Sequence, residues 1–155
     1  MEKKKDFRDD MMEMLEIARG NLKHSGELTP TLFVQRPDDR IVVVAMPLPD
    51  KEQKDKAMIF MAMKNNAKQV ATIEDTWLAE GDTGISPRVR EDRREAISMW
   101  IADGKKQHMV VQYYRRDGEQ IVFEEVLEID DDCEGHKIYN RVWNGYIKRH
   151  KDLTE

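Results

Sequence analysis

The chain has 155 residues, the size of one ordinary domain, with 39% apolar and 37% charged residues, where typical domains carry about 45–50% and about 25%. That balance excludes a lipid-embedded helical protein, because the longest apolar run, Ile41 to Leu48, is broken by Pro47 and falls short of the about 20 residues a bilayer span needs. A formal net charge of −5 repels polyanions at long range and argues against non-specific nucleic-acid binding.

At the start of the chain Phe7, Met11, Met14, Leu15, Ala18 and Leu22 recur at spacings of three and four, the apolar stripe of an amphipathic helix. Gly20 weakens this helix and Gly26 stops it. Lys3, Lys4 and Lys5 precede acids where a secretory signal would need an apolar stretch. The single cysteine, Cys133, cannot form an internal disulfide or build a cysteine-based zinc site. The expectation is a cytoplasmic protein.

Thr31 to Gln35 and Ile41 to Met46 are rich in strand-forming residues. Pro37, Asp38 and Asp39 between them set a turn, which predicts a hairpin. Asp50 and Gln53 form a capping-box pattern before Ala57, Ile59, Phe60, Met61 and Met63, so a second helix is expected from there to about Gln69. Val70 to Leu78 reads as a strand parallel to the one before this helix, joined to it by a right-handed crossover. Glu80 to Arg93 is polar and punctuated by Gly81, Gly84 and Pro87, a length at which loops often carry function.

Asp103-Gly104 and Asp117-Gly118 then separate three β-rich runs, and Asp-Gly is a strong hairpin signal. With Asp-Gly as the two loop residues, Ile97 pairs with Val110, Trp100 with Gln107, Gln112 with Phe123 and Tyr113 with Val122. One face would carry Ile97, Met99, Ile101, Val110, Tyr114, Ile121 and Phe123. The other would carry Trp100, Met109, Val111, Tyr113 and Val122, so both faces are apolar enough to need cover, from this chain or from a second copy. Ile138, Tyr139, Val142, Trp143, Tyr146 and Ile147 predict a closing helix, with Asp130, Asp131 and Asp132 at its positive end and Lys148, Arg149 and Lys151 at its negative end.

The fold class expected is therefore α+β: one domain over residues 1–155, with about three helices mainly on one face of a mostly antiparallel sheet of about six strands.

No spacing nominates a metal or a cofactor. The run beginning at Asp130 opens like a calcium loop but places Arg141 where the bidentate glutamate is required. His24, His108, His136 and His150 lack zinc spacing. Arg88, Arg90 and Arg93 could clamp a carboxylate or phosphate, although surface charge runs more often pair internally. Glu74 is the candidate base beside that clamp and Trp77 a candidate ligand contact, but Glu74 and Asp75 point to opposite faces of a strand and cannot converge. Tyr113 and Tyr114 with Arg115 and Arg116 interleave aromatic and basic residues as single-strand binders do, against the net acidity. The reading favoured is a non-enzymatic protein-interaction or regulatory module that binds a protein partner or itself. Its rival is an enzyme or binder of a small anionic metabolite or nucleotide, using the arginine loop 80–94.

Overall fold

A computed structural model describes residues 6–47, 50–78, 94–103 and 106–132. The elements run α1 (Phe7–Ser25), β1 (Thr31–Gln35), β2 (Ile41–Ala45), α2 (Lys51–Lys64), β3 (Gln69–Leu78), β4 (Arg94–Ala102), β5 (Lys106–Asp117) and β6 (Gln120–Asp132). The strands form one six-stranded sheet ordered β2-β1-β3-β4-β5-β6, and every ladder in it is antiparallel. The predicted closing helix and the loop holding Arg88, Arg90 and Arg93 lie outside the described residues.

Helix α1 forms as its spacing predicts. Asp6 caps it by accepting from the Asp9 N–H at 2.8 Å. Gly26 ends it at φ +77°, its N–H donating to the Leu22 carbonyl at 2.7 Å. Phe7, Met11, Leu15, Ala18 and Leu22 are buried against Phe33, Ile73, Ile97, Met99, Ile101, Val110 and Tyr114. Burial of such side chains contributes about 1.5–3 kcal/mol each.

Helix α2 packs on the other side. Met58 and Ala62 meet Leu32, Val34, Val70, Trp100 and Ala102, and neighbouring strand residues point to opposite faces. The two described helices thus lie on opposite faces of the sheet, where the expectation was about three helices mainly on one face. Leu32, Phe33 and Val34 are consecutive and all buried, so β1 needs cover on both sides. Phe60 is 60% exposed and not a core residue, because the buried stripe of α2 runs through Asp55, Met58 and Ala62. The helix ends at Lys64, short of Gln69, where Asn66 turns the chain at φ +51°.

The parallel pairing of β3 is also corrected. β2 and β3 do run in the same sense across the α2 connection, but β1 lies between them and is hydrogen-bonded antiparallel to both.

In the meander, Met99 pairs with Val110, Trp100 with Met109, and Tyr114 with Phe123. Each expected register is off by about one pleat, because neither aspartate opens its loop as expected: Asp117 is the last residue of β5, and Asp103, just past the end of β4 at Ala102, still donates its N–H to the Lys106 carbonyl at 3.2 Å. Asp117 pairs with Gln120, leaving Gly118 at φ +62° as the first loop residue. Asp103 accepts from the Lys106 N–H at 2.8 Å through its carboxylate. The first hairpin shift is an even number of residues and leaves every side chain on its expected face. β6 extends to Asp132, so Asp130, Asp131 and Asp132 continue a strand opposite His108, Gln107 and Lys106; the helix they were expected to precede lies outside the described residues.

Candidate functional site

Strand β3 separates the predicted site residues. Glu74 lies on the α2 face, where Lys54 Nζ donates to its carboxylate at 3.2 Å. Asp75 and Trp77 lie on the α1 face, in register with Ile97 and Glu95. Glu74 is thus engaged by an ion pair and turned away from Asp75, and Arg88, Arg90 and Arg93 lie outside the described residues. Arg94, the last member of the arginine run, is the first residue of β4.

What the sheet gathers on the α1 face is a different group: Asp75, Glu95, Tyr114 and Arg116. Glu95 sits opposite Tyr114, and Arg116 Nε donates to both Glu95 oxygens, at 3.0 and 3.3 Å. The same guanidinium donates from Nη2 to the Gly26 carbonyl at 3.1 Å, placing a cation at the negative end of α1. The Tyr114 ring lies edge-on to Phe123, with centroids 6.4 Å apart.

Burial pushes the Tyr114 hydroxyl up to about 12, with the charges of Glu95 and Asp75 acting in the same direction. Burial also raises the Asp75 carboxyl above its ordinary value, assisted by Glu95 and Glu74. One carboxyl that holds its proton more readily therefore stands near another fixed in an ion pair. The sequence could not reveal this group, because Asp75, Glu95 and Arg116 come together only through the registers of three strands.

A second feature is the β6 edge. β5 and β6 contain a bulge: Gln112 pairs with Val126 and Tyr114 with Phe123, so Tyr113 faces both Glu124 and Glu125. Arg94 straps the bulge from two strands away. It pairs with Glu124 at 3.4 Å and with Glu125, and its guanidinium carbon lies 3.9 Å from the Tyr113 ring centroid, within cation–π range. Beyond the bulge Val126, Leu127 and Ile129 are 48%, 46% and 44% exposed. Tyr114 is 2% exposed, and the Arg94 guanidinium lies over the Tyr113 ring.

Among the described residues, no three His, Cys, Asp or Glu side chains are grouped so as to hold a metal ion. None of their helices is long and apolar enough to cross a membrane. Among the described residues the architecture is α+β, an antiparallel sheet with one helix on each face. Comparison with protein-family models, curated proteins and solved structures finds no match to the chain.

Proposed function

We propose that this chain is a protein-interaction module that works without chemistry of its own, through the outer edge of its described sheet at β6. One observation carries the reading: Val126, Leu127 and Ile129 remain nearly half exposed on a strand that has a described neighbour on one side only. Apolar side chains grouped at a surface favour association, and unpaired strand N–H and C=O groups offer a template for another chain. Glu74 supports the same reading, since the residue closest to a catalytic base is held by Lys54.

A photo-reactive residue at position 126, compared with one at the equally exposed Ile17 on α1, tests this in native lysate treated with nuclease. The expected result is a protein trapped from position 126 and not from 17, whose purified form binds the full chain and loses about tenfold in affinity with Val126→Asp. Retention of a small anionic molecule, with nothing trapped from 126, would replace this reading with an anion site at Arg88, Arg90 and Arg93.

A further inference from the structure

The β6 edge carries information about the chemistry of its partner. From Glu119 to Asp132 the sequence has seven acids and no Lys, Arg or His. Arg94 answers Glu124 and Glu125, and the His108 ring approaches Glu128 at 3.9 Å. Lys106 stands opposite Asp132, and among the described residues negative charge remains in excess along the strand. The opposite edge of the sheet is β2, which has only five residues against thirteen in β6.

We infer that β6 accepts, by antiparallel strand addition, an extended basic segment of a partner protein. This rests on the interaction reading above and adds the identity of the segment. A second copy of β6 is the wrong occupant, because antiparallel self-pairing through the stretch after the bulge would set acids against acids, and like charges opposite each other destabilise a ladder. A polyanion is repelled for the same reason.

The strand pattern dictates what fits. Val126, Leu127 and Ile129 call for apolar residues opposite them and Glu128 for a lysine or arginine, while the sequence continues as Asp130, Asp131 and Asp132. Read in the direction of an antiparallel partner, the complement is three basic residues, an apolar one, a basic one and two apolar ones. Main-chain hydrogen bonds would supply affinity and the side-chain pattern specificity, the usual division in strand addition.

The test uses the full chain, isotope-labelled, and the blocked peptide lysine-lysine-lysine-isoleucine-lysine-valine-valine. Two control peptides are needed: one with glutamate for every lysine, and one with the original side chains but N-methyl groups on alternate amides, which keeps the charge and blocks the ladder. The expected result is saturable shifts in the amides of Val126 to Ile129 with slowed hydrogen exchange there. Both controls should bind at least about tenfold more weakly, and added salt should weaken the parent peptide.

Equal binding of the N-methylated peptide would reduce the effect to charge attraction and overturn the inference. So would shifts confined to another surface, or equal binding of the glutamate peptide. If a partner is trapped through position 126 and the lysine peptide does not compete with it, the strand chemistry fails while the interaction reading stands. If nothing is trapped there, the reading itself fails.

Discussion

Arg19 of α1 and Gln112 of β5 are joined by a 3.0 Å hydrogen bond from the guanidinium Nε to the amide oxygen. Gln112 is 3% exposed, and its amide nitrogen donates to the carbonyls of Tyr113 at 3.0 Å and Glu124 at 2.9 Å. One side chain thus ties the helix to the bulge and satisfies carbonyls that the bulge removes from the ladder. Gln112→Leu should cost about 1–3 kcal/mol, the range for stranding buried polar groups. The measurement is urea unfolding, with a lower midpoint at unchanged slope. A variant as stable as the parent would mean that the bulge holds without this side chain.

The bond from Arg116 to Gly26 makes the end of α1 sensitive to two substitutions. Gly26→Ala forces a Cβ into a left-handed backbone at φ +77° and should cost about 1–2 kcal/mol. Arg116→Met removes the paired contacts to Glu95, but the arginine side chain is 42% exposed, so the loss should be about 1 kcal/mol. Thermal unfolding of the two single variants and the double variant would show coupling between the sites.

Asp75 predicts a dependence of stability on acid. Its carboxyl is raised above 3.8 in the folded protein, so between 3.8 and the raised value the folded state binds more protons than the unfolded state. Stability from this group then falls as pH rises through that window. Asp75→Asn should remove this component, so that the stability of the variant relative to the parent improves as pH is raised from 3.8. Parallel unfolding curves across that range decide the matter.

Tyr114 predicts the alkaline counterpart. With the folded hydroxyl pushed up from 10.0 to about 12, the unfolded chain releases the proton first, and stability is lost as pH rises from about 10 to about 12. Tyr114→Phe should lose less stability over that interval. Spectroscopic titration should also lose a phenolate transition near 12.

Leu15 and Phe60 contrast a core position with an exposed one. Leu15 is 0% exposed against the sheet and Phe60 is 60% exposed. Leu15→Ala should cost about 2–5 kcal/mol, whereas Phe60→Ser should stay within about 0.5 kcal/mol.

That contrast also shows what the sequence could disclose. The α1 stripe was legible because its helix contacts one face of the sheet and its apolar residues, the exposed Ile17 apart, share one side. The stripe of α2 was not, because Phe60 and the partly buried Ile59, Met61 and Met63 are crowded with apolar residues around the whole circumference. Face assignments in β4 and β5 could be read from alternation alone, since alternation survives a slip of two residues. Pairing partners could not, because a dipeptide signal does not say whether its aspartate ends the strand or enters the loop.

Of the candidate site, Glu74 and Asp75 were separable in advance by strand geometry, but the meeting of Asp75, Glu95 and Arg116 depends on registers that no local pattern records. The length of β6 was hidden because its acids resemble the cap of a following helix as readily as the end of a strand.

The position of β1 bears on how the chain comes off the ribosome. Its hairpin with β2 is complete once Ala45 has been made, but its other neighbour, beginning at Gln69, is synthesised only after all of α2. Throughout that interval Leu32, Phe33 and Val34, which are buried on both faces in the finished protein, sit on a strand with one unsatisfied margin and without α2 or β3 to shield them. Exposed apolar strand margins invite pairing with other chains. A chain released with its end between Ala45 and Gln69 leaves that margin bare and should yield less soluble product than one released within β5.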